Sequence, residues 1–400
     1  MSLINEGRYG KIYKVNDNNY WYGLKRIYHD ANGITNLVEI DILSRISHPN
    51  IIKLINYKID DISTDLLMPL YECNLHEMNM NFFNNDTKLS FIRDVVSGIK
   101  FLHESGIYHC DLKTTNIMYD SQKLYIIDFG LSLYQHHPDE YCEQTNLFKS
   151  PEEIYKLLNS PKCSDEIECL VNKSMTKIKS DYWALGLNIM YILTGKYIFK
   201  GTLDNIFNHQ IIYMSNPFKF LHELVSPEYT NGIYWLLHPD PTQRSVDQFI
   251  QKLNIDLIFG KINDIDYNTD VIIKYTDVLT DLSKYIYDIC ITLQLNKYVY
   301  LGCLDKLYRV IDYDNNYILV CLTIIMIMIK IWYRIFDIDQ LLQFSDTYTI
   351  NDLICCEISL INICNGYINS SKLYHLFNDY SYTHCIYPSE ILLRIKLLSS

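Results

Sequence analysis

The chain has 400 residues, of which 48% are hydrophobic and 20% are charged, and these fractions exclude wholesale disorder. At about 150 residues per domain the length predicts two or three domains. The net charge of −12 argues against a broad basic surface, so nucleic acid is not an expected partner. The longest apolar run, residues 317–329, is shorter than the roughly 20 residues that span a bilayer, so no membrane contact is expected either.

The first 60 residues alternate short β-rich runs, at 11–15, 21–27 and 51–57, with polar turns. The segment Ile4-Asn5-Glu6-Gly7-Arg8-Tyr9-Gly10-Lys11-Ile12 leads into the first run. Because glycine has no Cβ, such a segment lets backbone N–H groups approach phosphates.

Lys25 lies inside the second β-rich run, where a lysine is costly unless it is paired. Glu39, on a helical pattern over 35–46, supplies a partner. Taken singly, the two residues could equally be an exposed strand lysine and a solvated glutamate.

From about Lys88 onward helical periodicity dominates. The strongest motif is His109-Cys110-Asp111-Leu112-Lys113-Thr114-Thr115-Asn116, followed twelve residues later by Asp128-Phe129-Gly130. Transfer of a γ-phosphoryl group needs a carboxylate to orient the attacking hydroxyl and oxygen ligands to hold Mg²⁺. The motif contains both, so ATP and Mg²⁺ are the expected cofactors.

Together with Ser150-Pro151-Glu152 and the segments 181–186 and 240–244, these motifs make residues 1–255 resemble the eukaryotic protein kinases. The resemblance implies an α+β two-lobed protein kinase fold, with a small β lobe and a larger helical lobe. About fifteen extra residues between Glu152 and Asp181 have no counterpart in the pattern.

The resemblance also implies roles for individual residues. Asp111 is the expected catalytic base, assisted by Lys113 and Thr145, a pairing typical of Ser/Thr kinases, while Asn116 and Asp128 are the expected Mg²⁺ ligands. The expected nucleotide contacts are Ile4, Asn5, Glu6, Gly7, Arg8, Tyr9, Gly10, Lys11, Ile12, Gly23, Lys25 (paired with Glu39), Met68, Pro69, Tyr71 and Met118. A Glu152–Arg244 pair and an Asp181 brace on the catalytic loop are expected as structural features.

Among the kinases, the segments 4–14, 33–39 and 47–52 are most similar to the cyclin-dependent group. In that group three arginines bind an activation-loop phosphothreonine. Their equivalents here are Val38, Cys110 and Leu133, and the acceptor position is Glu140. Since a phosphate there would meet no arginine, activity is not expected to require activation-loop phosphorylation.

The second half of the chain predicts an all-α bundle, with the third of its helices apolar all round and therefore in its core. The expected helices cover 277–294, 297–311, 317–333, 338–345 and 350–366. Residues 271–368 resemble a cyclin box, which implies that Lys330 and Glu357 contact the helix bearing Glu39. The predicted division is a kinase domain at 1–258, a linker at 259–270, a cyclin-box-like helical bundle at 271–368 and a C-terminal helical tail at 369–400.

The predicted function is an ATP-dependent serine/threonine protein kinase of the cell-cycle type, acting on protein substrates and activated by its own cyclin-like domain. The alternatives are a pseudokinase scaffold, or an active kinase whose helical half is a substrate adaptor. A helical bundle unrelated to cyclins, and exchange of that half between two chains, also remain open. Twelve scattered cysteines indicate reduced thiols and an intracellular location. The scarcity of alanine suggests an AT-rich coding sequence, as in a parasite or a large DNA virus.

Overall fold

The computed structural model describes residues 1–7, 10–17, 19–30, 37–135, 137, 144–158, 177–262, 274–312, 316–333, 337–345, 347–364 and 385–386. The strands, in chain order, are β1 Ser2–Gly7, β2 Gly10–Asp17, β3 Tyr20–Tyr28, β4 Ile46–Ser47, β5 Asn56–Ile59, β6 Ser63–Pro69, β7 Cys73–Asn74, β8 Ile107–Tyr108, β9 Ile117–Asp120, β10 Lys123–Ile126, β11 Leu133–Tyr134 and β12 Lys261–Ile262.

The helices, numbered in the same way, are α1 Leu37–Arg45, α2 Asn85–Glu104, α3 Pro151–Leu157, α4 Lys177–Thr194, α5 Leu203–Ser215, α6 Pro217–His222, α7 Pro227–Leu236, α8 Val246–Leu253, α9 Thr276–Thr292, α10 Lys297–Val310, α11 Tyr317–Trp332, α12 Asp339–Leu342 and α13 Ile350–Ile363. Short 3-10 turns cover Met80–Phe82, Thr114–Asn116, Asn146–Phe148 and Pro241–Gln243. Within the described ranges, none of the helices has the length and apolar character that crossing a membrane requires.

The chain forms two compact units that do not follow its linear order. The first unit contains residues 1–46, 54–69 and 262–400, and the second contains 47–53 and 70–261. The β lobe therefore shares a unit with the C-terminal helices. The domain boundaries at 258 and 271, drawn from the sequence, stay a prediction.

An antiparallel sheet of five strands, in the order β1-β2-β3-β6-β5, forms the β lobe of the first unit. Its register places Ile12 opposite Lys25 and Gly23 opposite Met68. Gly10 begins β2 at φ 143°, and a Cβ there would lie 2.3 Å from the backbone oxygen of Arg26. Only glycine fits at this position, because any side chain would overlap the neighbouring strand.

The first unit also contains the C-terminal helices, of which α11 is the core. Its residues from Val320 to Ile329 are all buried, which confirms the predicted apolar core helix. Within this unit α1 packs against α11, and the Tyr57 hydroxyl of β5 donates a hydrogen bond to the Ile361 oxygen of α13 at 3.4 Å.

Several predicted elements need correction or lie outside the description. The run 51–57 is not one strand, because Ile51 forms an isolated bridge and the strand begins only at Asn56. The fourth C-terminal helix, predicted at 338–345, is the single turn Asp339–Leu342. Of the predicted helical tail only Cys385 and Ile386 are described, and these two residues are buried but not helical.

The second unit is built around α2 and α4, with small sheets of β10-β9-β7 and β11-β8. Most of α4 is buried, and Gly195 at φ 68° ends the helix. Ser150 and Glu153 form a capping box at the start of α3, where Pro151 occupies the first turn. These elements fix the loops that carry the site residues of this unit.

Candidate active site

The first unit holds a buried ion pair between β3 and α1. The Lys25 Nζ lies 2.8 Å from both carboxylate oxygens of Glu39, and the two residues are only 8% and 1% exposed. A buried lysine and a buried glutamate each require such a partner. The pair therefore fixes the orientation of α1 relative to the sheet.

The glycine segment and the end of β6 belong to the same unit. Ile4, Asn5, Glu6 and Gly7 are exposed, and the Lys11 Nζ lies 3.2 Å from a Glu6 carboxylate oxygen. Arg8 and Tyr9 lie outside the described residues. The structure thus shows an open edge made by β1 and β2.

Gly23 of β3 lies beside the end of β6. A Cβ added there would be 3.6 Å from the backbone oxygen of Pro69 and 3.9 Å from that of Met68. The Met68 side chain is buried, while Ile12 opposite Lys25 is half-buried. The structure therefore brings these predicted nucleotide contacts together on neighbouring strands.

In the second unit, the loop at residues 109–116, called the catalytic loop after its predicted role, carries a polar cluster centred on Asp111. Its Oδ2 accepts a hydrogen bond from the Lys113 Nζ at 2.6 Å and its Oδ1 accepts one from the Thr145 hydroxyl at 3.0 Å. The Lys113 Nζ also donates to the Thr145 Oγ1 at 3.1 Å. The three residues form a closed triangle, in which the Lys113 and Thr145 side chains each donate to a different oxygen of the Asp111 carboxylate.

The two predicted metal ligands also lie in the second unit, and a backbone hydrogen bond links their segments, from the Ile127 N to the Asn116 oxygen at 3.0 Å. The Asn116 Nδ2 donates to the Asp111 backbone oxygen at 3.0 Å and to its carboxylate at 3.2 Å. The Asn116 Oδ1 is therefore the amide atom suited to a cation, and with the Asp128 carboxylate it makes an all-oxygen pair of the kind that Mg²⁺ prefers. The donor set fits magnesium.

A buried carboxylate from α4 holds the backbone of the catalytic loop. Asp181, fully buried, accepts hydrogen bonds from the backbone N–H groups of His109 at 2.8 Å and Cys110 at 2.9 Å, and from the His103 ring at 2.9 Å. Cys110 and Asp128 both have positive φ, at 62° and 67°. Such conformations cluster at functional sites, where the surrounding structure enforces them.

The remaining predicted nucleotide contacts of this unit are Tyr71 and Met118. The Tyr71 ring stacks on Tyr125 with centroids 4.5 Å apart, and burial raises its pKa. Met118 lies in β9, opposite Tyr125 of β10 and Asn74 of β7. Met118 is therefore part of the small sheet of the second unit, and Tyr71 packs against that sheet through Tyr125.

A second buried pair lies further from the catalytic loop. The Arg244 guanidinium binds both carboxylate oxygens of Glu152 and lies 4.7 Å above the Trp183 ring, and both charged residues are fully buried. This is the pairing expected from the sequence. Breaking one partner of such a pair costs about 3–5 kcal/mol, so its role is structural.

Two of the three positions predicted to replace phosphate-binding arginines lie in one apolar cluster. Cys110 and Leu133 are buried together, with Tyr108 packed against them. Val38 is half-buried on α1, whereas Glu140 lies outside the described residues. In the second unit these positions therefore offer hydrophobic contacts.

Among the C-terminal helices, the Lys330 Nζ lies 2.7 Å from both carboxylate oxygens of Glu357, which is fully buried. Burial lowers the pKa of Lys330, and Glu357 opposes this effect. The charge of Asp30, which precedes α1, also raises the pKa of Lys330, so Lys330 interacts electrostatically with the β lobe.

Two features of the site had no signal in the sequence. Arg26 donates two hydrogen bonds to Asp65 across β3 and β6, at 2.6 and 2.5 Å, on the face of the sheet opposite to Lys25. Thr114, within the catalytic loop, contacts Tyr197 from the loop after α4. Both contacts join residues distant in sequence, so no local spacing could have indicated them.

Residues 1–253 match the family model described as "Protein kinase domain". The chain is 28% identical over 256 residues to a serine/threonine-protein kinase, L268, of Acanthamoeba polyphaga mimivirus, an alignment that covers 54% of this chain and 44% of that protein. It is 28% identical over 224 residues to cyclin-dependent kinase 12 of Caenorhabditis elegans, covering 50% of this chain and 29% of the relative.

It is also 26% identical over 258 residues to CTD kinase subunit alpha of Schizosaccharomyces pombe, covering 62% of this chain and 41% of the relative. The matched region thus spans less than half the length of each of these three relatives.

Proposed function

Because the chain belongs to the protein kinase domain family, we propose that it transfers the γ-phosphoryl group of ATP to serine or threonine hydroxyls of proteins. The observation that carries the proposal is the Asp111–Lys113–Thr145 triangle. A lysine and a threonine beside this aspartate are the pairing that the resemblance associates with Ser/Thr kinases. The name of the mimivirus relative, a serine/threonine-protein kinase, supports the same class.

Each charged residue then has a distinct task. Asp111 would accept the proton of the substrate hydroxyl, while the Lys113 ammonium would neutralise charge beside the transferred group. Lys25, held by Glu39, would bind the α- and β-phosphates, and Asn116 and Asp128 would hold Mg²⁺. Bound Mg-ATP supplies the phosphoryl group and the cation that screens its oxygens.

The C-terminal helices are proposed to activate the kinase as a cyclin would. Three observations support this: α1 packs against α11, Tyr57 reaches Ile361 of α13, and the charge of Lys330 acts on Asp30 and His29. The packing of α1 against α11 would hold the helix that bears Glu39 and so favour the Lys25–Glu39 pair, while the other two contacts link the β lobe to the C-terminal helices. Since both elements belong to one chain, activation would need no separate subunit.

Activity is further proposed not to depend on activation-loop phosphorylation. The apolar Cys110–Leu133 cluster supports this, because a phosphate needs charge-assisted hydrogen bonds that buried thiol and leucine side chains do not supply. The biased composition, together with similarity to a mimivirus kinase, supports an origin in a large DNA virus.

The two alternatives make different predictions. A pseudokinase scaffold would bind Mg-ATP without transfer, and the complete set of Lys25, Glu39, Asp111, Asn116 and Asp128 speaks against it. A substrate adaptor would leave the β lobe untouched, whereas the Tyr57–Ile361 hydrogen bond reaches it.

The test is transfer of labelled phosphate from Mg-ATP to a mixture of Ser-, Thr- and Tyr-containing peptides by the full chain. We expect phosphoserine and phosphothreonine only, and a loss of about 10³-fold or more in kcat for Asp111→Asn. Phosphotyrosine as the main product would contradict the acceptor class. Nucleotide binding without any transfer would favour the scaffold.

A further inference from the structure

Tyr197 joins two parts of the second unit that are far apart in sequence. It lies in the loop after α4, three residues after Thr194. Its hydroxyl is 2.6 Å from the Thr114 Oγ1 and 2.9 Å from the His76 Nδ1. Thr114 is buried within the catalytic loop, whereas His76 is an exposed residue just after β7.

The ring of Tyr197 makes a separate contact. It meets the Phe148 ring edge-on with centroids 6.0 Å apart and lies 4.9 Å from the Tyr191 ring of α4. Phe148 ends the 3-10 turn Asn146–Phe148, and Thr145 is the residue that caps the start of this turn. The ring therefore packs on the segment that positions Thr145.

The hydroxyl contact and the ring contact of Tyr197 are each connected to Asp111 through a different set of residues. Thr114 directly follows Lys113 and begins the 3-10 turn that ends at Asn116, and both Lys113 and Asn116 donate hydrogen bonds to Asp111. Thr145 donates to the other oxygen of the same carboxylate. The Tyr197 hydroxyl thus binds the segment that carries Lys113 and Asn116, and its ring packs on the segment that follows Thr145.

We propose that Tyr197 is a positioning residue for phosphoryl transfer, which fixes Thr114 and Phe148 so that the donors around Asp111 converge. The inference rests on the proposed kinase function and deepens it. Burial raises the pKa of Tyr197, so its hydroxyl remains a neutral hydrogen-bonding group. Because Tyr197 approaches the aspartate side of the reaction, its loss should affect kcat and leave the KM for ATP unchanged.

The experiment measures kcat and the KM for ATP of the full chain in the variants Tyr197→Phe, Thr114→Val and their combination. Phenylalanine keeps the ring contact and removes the hydroxyl that binds Thr114 and His76. Valine keeps the shape of threonine and removes only the bond between Thr114 and Tyr197. We expect each single change to lower kcat about three- to tenfold, in line with one lost hydrogen bond. The double variant should be no slower than the singles, because both remove the same interaction. Thr114→Ser should retain the wild-type kcat.

A matched control removes the same kind of bond elsewhere in the second unit. The Tyr234 hydroxyl of α7 lies 3.0 Å from the His238 Nε2. Tyr234→Phe should leave kcat within twofold of the wild type. Melting temperatures of all variants are recorded, since a merely structural role for Tyr197 would lower stability and leave the kcat of the folded enzyme unchanged.

Unchanged kcat in Tyr197→Phe with an active wild type would overturn this inference alone. Effects of the two single changes that multiply in the double variant would also overturn it, because the hydroxyls would then act independently. An inactive wild type would refute the proposed function first, and this inference with it.

Discussion

Cys110 and Asp128 adopt left-handed backbone conformations that side chains with a Cβ rarely occupy. Each such residue costs about 1–3 kcal/mol. At Cys110 the cost is offset locally, because its N–H donates to the buried Asp181 carboxylate at 2.9 Å. At the scale of single residues, then, the site is shaped by a buried acid on a neighbouring helix.

His29 should make the stability of the first unit sensitive to acid. Burial lowers its pKa below the ordinary 6.5, and Lys330 acts in the same direction, whereas Asp60 and Asp30 oppose it. The folded state therefore binds fewer protons than the unfolded chain below pH 6.5. As the pH drops from 6.5 to the lowered pKa of His29, the free energy of unfolding should therefore fall. Above pH 6.5 the histidine is neutral in both states and should not change the stability.

The variant His29→Gln tests this, because glutamine can still bond to the Thr64 hydroxyl, 2.8 Å from the His29 Nε2, but does not titrate. Between pH 7.5 and 5.5 the melting temperature of the variant should fall less than that of the wild type. The exposed His209→Gln serves as the control and should follow the wild type. Parallel curves for all three proteins would contradict the prediction.

At the scale of elements, the contact of β11 with β8 brings Leu133 beside the catalytic loop and into the cluster with Cys110. Because activity is proposed not to depend on activation-loop phosphorylation, treatment of the protein with a phosphatase should leave kcat/KM within twofold. Mass spectrometry of the treated sample checks that residues 137–150 carry no phosphate. A large loss of activity that returns on rephosphorylation would contradict this.

The Lys330–Glu357 pair of α11 and α13 offers a second test at this scale. Lys330→Met alone would strand a buried carboxylate, at a cost of about 3–5 kcal/mol. The double variant Lys330→Met/Glu357→Met should keep the helices folded, because apolar replacement of a buried pair is tolerated. The double variant should nevertheless lower kcat/KM about tenfold, since the electrostatic interactions of Lys330 with Asp30 and His29 are lost.

Lys284→Met, at an exposed position on α9, is the matched control and should retain full activity. Circular dichroism shows whether the helices persist in each variant. A folded double variant with wild-type activity would show that the charge of Lys330 does not transmit activation.

How much the sequence predicts differs between elements. The helices α9, α10, α11 and α13 match their predicted spans closely, because a long apolar period is a strong signal. The prediction of 51–57 as one strand was wrong, since Ile51 and Ile52 are buried by tertiary contacts with only an isolated bridge at Ile51, and Ile55 is exposed. The family of the kinase half was predictable from ordered motifs and is confirmed by the match to residues 1–253.

In the site, too, residues of one sequence motif could be predicted, whereas contacts between residues far apart in the sequence could not. Lys113 and Asn116 lie in the same motif as Asp111, so the motif and the resemblance that it carries were enough to predict them, whereas Thr145 was predicted from the resemblance alone. Tyr197 and Asp65 could not be predicted, because their partners come from other elements and depend on packing. The catalytic roles of the predicted residues stay predictions.

At the scale of the whole molecule, the β lobe and the C-terminal helices share a compact unit. A fragment of residues 1–262 lacks those helices and should lose the support of α1, whose Ile40 and Asp41 are fully buried in the full chain. We expect at least a 100-fold lower kcat/KM and faster proteolysis within residues 1–69 than in residues 70–262. Full activity of the fragment would contradict the prediction and favour an adaptor role for the helices.

The first unit is assembled from segments far apart in the sequence, and this has a consequence for folding during synthesis. Residues 1–46 emerge from the ribosome early, but they complete their unit with helices that follow residue 262. Contacts so distant in sequence close late, because the intervening chain must be synthesised first. The β lobe would therefore complete its packing only after helices α9 to α13 have been synthesised. A ribosome that stops before Thr276 would release a chain whose β lobe lacks these helices, so translation through them becomes a condition for activity.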